Sequence, residues 1–279
     1  MKIVFSPKCL EYGSSYHPEN PRRIQLAYEY LKEKYEFIEP KPATEEDLLL
    51  VHTKEYIERI KSGNFYDPDT PAYDNIYEFA KLSAGAAIIA AKEKAFSLMR
   101  PPGHHAGRRG KALGAPTLGF CYFNNIAIAV KKLGKKTLIL DIDTHHGNGT
   151  QEIFQDSEDV IFISLHTMGI YPGTGFRSMG NCYNYPLPMG TDDKMYLETL
   201  DKALSNVDLS VVEVLAVSAG FDTLEGDLGG LRLTLDCYKE IGKRIGSLGL
   251  PVFIILEGGY SSKLGICIDN LIQGIESVT

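Results

Sequence analysis

Short apolar runs alternate along this chain with longer amphipathic stretches. The runs KIVF (2–5), AFSLM (95–99), TLIL (137–140), VIFISL (160–165), VLAVS (214–218) and VFIIL (252–256) predict strands. They are apolar almost throughout rather than at every second position, as expected of strands buried on both faces. Segments 21–33, 74–93, 122–133, 192–205, 234–247 and 263–276 carry apolar residues at helical spacing and predict helices. Such alternation predicts an α/β fold with a mostly parallel sheet flanked by helices. No internal repeat, low-complexity tract or linker marks a boundary, so residues 1–279 are expected to form a single domain.

The residues after each strand bring chemistry into the picture. RPPGHHAG follows 95–99, DIDTHHGNG follows 137–140 and HTMGIYPGTG follows 160–165; AGFDTLEGD follows 214–218 and EGGY follows 252–256. Open α/β sheets bind ligands beyond the carboxyl ends of their strands. Five consecutive strand ends delivering His, Asp or Tyr to one edge identify that edge as the expected site. There is no GxGxxG and no GxxxxGK[ST], and GTGFRSMG (173–180) has the wrong spacing, so a phosphate cradle is not expected.

Composition narrows the partners. With 44% hydrophobic and 23% charged residues in 279, the chain can bury a large core. Its net charge of −7 argues against direct binding to nucleic acid or anionic membrane, both of which demand a basic face. Of two short basic clusters, RRGK (108–111) and KKLGKK (131–136), the second is expected to close a helix, where lysine complements the helix dipole. Five scattered cysteines without a CxxC suggest reduced thiols in a cytosolic protein. The N-terminal apolar run is too short for a signal peptide, and none approaches the ~18 residues of a membrane span. A cytoplasmic location is expected.

Within DIDTHHGNG, an extended backbone over 141–145 would turn Asp141, Asp143 and His145 to one side and Ile142 and Thr144 to the other. Asp143 and His145 would then be neighbouring ligands for a divalent ion, with Asp222 of AGFD as the third; a catalytic zinc typically takes three protein ligands. The same donors accommodate Fe²⁺ or Co²⁺. Asp and His after a strand also form turns or cap helices, and Asn148 is placed to cap a helix at 149–155. His104 and His105 favour the metal reading, since imidazoles beside a metal site serve as proton-transfer groups. Tyr260, behind two glycines, is a suitable donor to a developing oxyanion.

Together RPPGHHAG, GFCYFNN (119–125), DIDTHHGNGTQ, SLH…YPGTG, SAGFDTLEGD and LEGGY resemble the zinc-dependent histone deacetylase and acetylpolyamine amidohydrolase superfamily, in a class II-like, prokaryotic-type form. The likeness runs from HPENPRRI (17–24) to at least Tyr260. It implies the arginase/deacetylase fold, a single α/β domain around a mostly parallel, roughly eight-stranded sheet. It further implies one catalytic Zn²⁺ on Asp143, His145 and Asp222. His105 is implied as general base and acid, His104 as its charge-stabilising companion, Asp141 as the carboxylate behind His104, and Tyr260 as the group that polarises the carbonyl. One or two structural K⁺ ions are implied, an inner one at Asp141, Asp143, His145, Ser164 and Leu165 and an outer one at Phe154, Ser157 and Val160. Phe120 and Tyr171, with Gly119 beside them, match an acyl-lysine tunnel; Leu228 matches its rim and Arg23 an acetate-release channel.

Departures from the family pattern carry expectations of their own. Asn148 stands where some members have aspartate, which should lower the basicity of His105, since a neutral partner replaces a charged one. The loop over 107–118 is longer than in many relatives, and the segment over 167–171 is shorter, implying a more open rim. No long extension follows Tyr260, so features built there in larger members are expected to be missing. Leu228 stands where a polyamine-selective relative has glutamate, although Glu225 and Asp227 lie nearby. The expected substrate is acetyl-lysine in protein or peptide, or a small acetylated amine, with an acetylpolyamine as the alternative. An arginase-like ureohydrolase would need DAHxDIN and SxDxDxxDP patterns, which are lacking, and a non-catalytic acyl-lysine binder would have lost a ligand or Tyr260.

Overall fold

The computed structural model describes residues 1–279. Its strands are β1 (Ile3–Val4), β2 (Phe37–Ile38), β3 (Phe96–Ser97), β4 (Ala106–Gly107), β5 (Gly110–Lys111), β6 (Thr137–Asp141), β7 (Val160–Thr167), β8 (Cys182–Leu187), β9 (Val214–Ala219) and β10 (Val252–Leu256). The helices are α1 (Pro21–Leu31), α2 (Glu45–Leu49), α3 (Lys54–Lys61), α4 (Ile76–Glu93), α5 (Asn125–Leu133), α6 (Asn148–Phe154), α7 (Asp193–Ser205), α8 (Leu235–Ser247) and α9 (Leu264–Glu276). Eight strands form one parallel sheet in the order β2-β1-β3-β10-β9-β6-β7-β8, while β4 and β5 make a separate antiparallel hairpin. The expected α/β architecture is therefore the one observed.

All six expected strands are present, and β6, β9 and the second half of β10 are buried as their unbroken apolar runs require. Two further strands of the eight-stranded sheet, β2 and β8, lie outside those six. β2 is only two residues long, and β8 (CYNYPL) alternates buried with half-buried positions and contains Pro186. Both are edge strands, and only an edge tolerates a residue without a backbone N–H so readily.

Helix boundaries follow local chemistry. Asn124, Asp192 and Thr234 cap α5, α7 and α8 by accepting from the backbone N–H of Ala127, Met195 and Cys237. Lys131 and Lys132 occupy the last turn of α5, as expected, and Gly134 ends it in the left-handed conformation at φ +63°. Helix α8 crosses α9 at glycines: a Cβ on Gly242 would stand 2.2 Å from the Leu271 carbonyl oxygen. Helices α1, α8 and α9 pack together, and α4 packs on α5. The five cysteines are free and buried, and no helix is long and apolar enough to cross a membrane.

Candidate active site

Asp141 is the last residue of β6, in register with Ser164 of β7 and Ser218 of β9. The extended backbone expected over 141–145 stops there. Asp143 N donates to Asp141 Oδ1 (3.1 Å) and His145 N donates to Asp143 Oδ1 (2.8 Å), two successive carboxylate-capped turns. Backbone donors at the strand end have no further ladder to join, and the aspartates satisfy them instead. The convergence of Asp143 and His145 survives, because the turns direct both side chains to Asp222.

One ligand atom from each of Asp143, His145 and Asp222 lies within 4.8 Å of the others. Asp222 Oδ2 is buried without a hydrogen-bond partner, although His145 Nδ1 lies 3.0 Å away. Glycine lines the cluster closely: a Cβ on Gly258 would come within 2.6 Å of both Asp143 Oδ2 and Asp222 Oδ2. Burial opposes a charged imidazole at His145, yet Asp143 and Asp222 outweigh it and push the ring up to about 10. Two crowded carboxylates, one of them with an orphaned oxygen, and one imidazole are the donor set a divalent cation such as zinc would satisfy.

The loop after β3 brings His104 and His105 against this cluster, with ring centres 4.0 Å apart. His104 Nδ1 pairs with Asp141 Oδ2 at 2.9 Å. Burial resists its charge, but Asp141, Asp143 and Glu257 prevail and push it up to about 10. His105 Nδ1 lies 2.7 Å from Asn148 Oδ1, and Asn148 Nδ2 donates to Ala112 O at 2.9 Å. That second bond turns the amide oxygen toward His105, so Nδ1 carries the proton and Nε2 is left as the basic nitrogen. Burial and the charges of His104 and His145 hold His105 well below its usual range. Asn148 is thus not the helix cap allowed for above: Gly147 precedes α6, and Asn148 is its first residue.

Both groups face a cavity of about 240 Å³ lined also by Gly119, Phe120, Tyr171, Leu228, Gly258 and Tyr260. Gly119 has φ +57°, and a Cβ there would stand 2.5 Å from the His105 ring and 2.6 Å from the Tyr171 hydroxyl. Tyr171 donates to Thr117 O at 3.0 Å and meets His105 edge-on. Phe120 lies edge-on to Tyr260, and Leu228 is 57% exposed at the mouth. Burial holds the Tyr260 hydroxyl well above its usual value, keeping it a donor.

Arg23 does not line this cavity. It is buried behind Tyr260, 5.3 Å from the ring, and donates to Gly259 O (2.9 Å) and Glu257 O (3.0 Å). Sequence reasoning passed over four residues around the site. Glu257 accepts from Gly103 N and His104 N and from the Ser218 hydroxyl, fixing the histidine loop; burial pushes it up to about 7 against the pull of His104. Arg100 and Glu19 form a buried pair at 2.6 Å. Asp69 lines the cavity and accepts from Gly119 N, Thr117 Oγ1 and Thr70 Oγ1. The Glu of LEGGY and the Arg of RPPG were visible signals, each directly beside a motif already read as functional.

Of the residues matched to monovalent cations, Ser164 Oγ pairs with His166 Nδ1 at 2.9 Å, and Leu165 is buried next to it. Ser157 N donates to Phe154 O. The carbonyls of Phe154 and Val160 both accept from Asn181 Nδ2, at 2.7 and 2.5 Å. His146 points away from the histidine pair, to Thr174 and Gln151.

A parallel sheet whose strand ends converge two aspartates and a histidine, able to hold a metal ion, on a histidine pair has the makings of a hydrolytic site. The histidine and the two aspartates come from the ends of β6 and β9, and the pair from the loop after β3. The model of the histone deacetylase domain matches residues 17–275, and the chain belongs to that family. A probable deacetylase of Archaeoglobus fulgidus is 38% identical, the alignment covering 96% of this chain and 84% of the relative. The crystal structure of the HDA15 HD domain superposes with TM-score 0.86 at 30% identity, over 100% of this chain and 94% of that one. An acetylpolyamine aminohydrolase from Burkholderia pseudomallei gives TM-score 0.87 at 25% identity, over 100% and 99%. The protein is a deacetylase of this family, an amide-hydrolysing enzyme.

Proposed function

We propose that this deacetylase hydrolyses the acetamide of acetyl-lysine in peptides or proteins with one zinc ion held by Asp143, His145 and Asp222. The observation that carries the reading is the three-donor cluster beside the His104–His105 pair at the inner end of the cavity. Zinc bound there supplies Lewis acidity, polarising the carbonyl and acidifying a water. His105 takes the water proton on Nε2 and afterwards gives one to the departing amine. His104, kept charged by Asp141, stabilises the negative charge that develops. The Tyr260 hydroxyl donates to the developing oxyanion. Phe120 and Tyr171 sandwich the apolar stem of the substrate.

The acidic groups at the mouth support acetyl-lysine over a polyamine. Asp227 accepts from the backbone N–H of Leu228, Tyr260 and Ser261, Glu225 pairs with Arg232, and Asp69 accepts from Gly119 N and the Thr117 hydroxyl of the neighbouring loop. A polyamine carries further ammonium groups that would need free carboxylates there. The likeness to an acetylpolyamine aminohydrolase over the whole chain keeps acetylpolyamines as the second reading. Potassium is proposed at the inner set, Asp141, Asp143, His145, Ser164 and Leu165, where it would neutralise buried acid. The bridging of Phe154 and Val160 by Asn181 supports one such ion rather than two. A cytoplasmic location is proposed from the five free thiols.

The test is to incubate metal-replete protein with acetyl-lysine peptides, acetylpolyamines and longer acyl-lysines, with and without chelator and restored zinc. Chelator-sensitive acetate release from the peptides is expected. Preference for acetylpolyamines overturns the substrate assignment, and release insensitive to chelation overturns the role of the metal.

A further inference from the structure

Tyr260 is carried on an irregular segment that begins where β10 ends. The residue before it, Gly259, adopts φ +118°, a conformation L side chains rarely take. No hydrogen bond holds the Tyr260 side chain; its ring lies edge-on to Phe120 and beside the Arg23 guanidinium. The direction of the phenol then depends on how its backbone is held. Upstream, Gly258 N donates to Asp143 Oδ2 and Arg23 holds Gly259 O. Downstream, a single carboxylate oxygen, Asp227 Oδ2, accepts from both Tyr260 N (2.9 Å) and Ser261 N (2.8 Å). The other oxygen of Asp227 accepts from Leu228 N at 2.7 Å.

We propose that Asp227 is a positioning residue for the deacetylase reaction, one that clamps the backbone of Tyr260 so that its hydroxyl is held at the developing oxyanion. This rests on the oxyanion role given to Tyr260 above. Asp227 belongs to no metal cluster and does not line the cavity, so it acts through the backbone of Tyr260, Ser261 and Leu228 that it holds. The loop over 220–229 then has three tasks: Asp222 joins the metal cluster, Leu228 forms the mouth and Asp227 fixes the tyrosine. The Asp227 carboxylate ties the mouth to the catalytic hydroxyl through one side chain. A phenol displaced by an ångström loses about 10²-fold in rate.

A double-mutant cycle on zinc-loaded protein tests this, with an acetyl-lysine peptide as substrate. Asp227→Ala should lower kcat about 10- to 100-fold and leave KM within about threefold, since an interaction used only in the transition state is lost. In a Tyr260→Phe background the same substitution should change kcat less than about twofold, because there is no hydroxyl left to misplace. Asp227→Asn can keep its oxygen on the Tyr260 and Ser261 amides and should retain kcat within about threefold of wild type. Amide hydrogen exchange adds a measurement independent of turnover: Tyr260 and Ser261 should exchange at least about tenfold faster in Asp227→Ala, with β6 and β9 unchanged. Equal losses of kcat in both backgrounds, or unaltered exchange at Tyr260, overturn the inference while leaving the hydrolase reading intact. A wild-type protein inactive on every acetamide overturns both.

Discussion

Gly258→Ala probes the metal cluster without altering any donor. Gly258 lies outside the left-handed region, so alanine meets no backbone penalty, and the effect is steric. The added Cβ would stand 2.6 Å from Asp143 Oδ2 and 2.6 Å from Asp222 Oδ2, whereas real Cβ contacts are essentially never under 3.0 Å. Each oxygen must therefore retreat by at least about 0.4 Å, and metal–ligand distances tolerate only about 0.2 Å. Neither carboxylate yields freely: Asp222 Oδ1 is held by Thr144 N at 3.0 Å and Asp143 Oδ1 by His145 N at 2.8 Å. Disturbing a ligand's support typically costs 10- to 100-fold in metal affinity, or about 1.4–2.8 kcal/mol. Zinc affinity is measured by competition with a chromophoric chelator, and kcat/KM at limiting and saturating zinc. Both should fall, and excess zinc should recover part of the activity. Wild-type affinity with unchanged kcat/KM would refute the assignment of these two carboxylates as ligands.

Three further outcomes are expected. Tyr260→Phe should keep zinc by direct metal analysis and lose about 10²–10³ in kcat, the usual cost of one oxyanion donor; unchanged turnover would remove the tyrosine from the mechanism. Asn148→Asp places a negative charge 2.7 Å from His105 Nδ1, which favours the imidazolium and should move the acidic limb of the kcat/KM profile upward by about 1–3 pH units. His52 and His166 are buried neutral, burial lowering them to about 3 and about 4. Unfolding lets each bind a proton below its ordinary value of 6.5, so their stabilisation is complete above that pH and is lost as pH falls toward 4. At about 1.4 kcal/mol per histidine per pH unit, melting temperatures should drop steeply between pH 6.5 and 5. A flat profile over that window would contradict it.

What could be read from the chain follows from what each feature depends on. The buried strands were legible because a strand covered on both faces must be apolar throughout. β8 was not, since a half-exposed edge strand with Pro186 has no such run, and α2 and α3 are too short for helical periodicity to emerge. The convergence of Asp143, His145 and Asp222 was legible because two lie close in sequence and all three follow strands. The turns that aim them were not, because spacing alone cannot tell an extended strand from two aspartate-capped turns. Glu257, Glu19 and Arg100 escaped notice for a different reason. Their partners are distant in sequence, Glu19 lying 81 residues from Arg100 and Glu257 more than 150 from Gly103, so only folding makes them a network. Of the visible pair His145–His146, one imidazole joins Asp143 and Asp222 and the other turns to Thr174 and Gln151, whereas the pair proposed for proton transfer lies in another loop.

Strand order also constrains how the protein is made. β10, the last strand in the chain, lies between β3 and β9 and is the only connection between the two halves of the sheet. On the ribosome β1, β2 and β3 emerge first, yet one edge of β3 stays unpaired until residues 252–256 have been synthesised, 155 residues after Ser97. At typical translation speeds that is roughly 8–30 s with an open strand edge, the kind of surface other chains pair with. Gly258 and Tyr260 arrive later still. A nascent chain thus holds Asp143, His145 and Asp222 well before β10 joins the two halves of the sheet, while the cavity around them is closed only when Gly258 and Tyr260 follow.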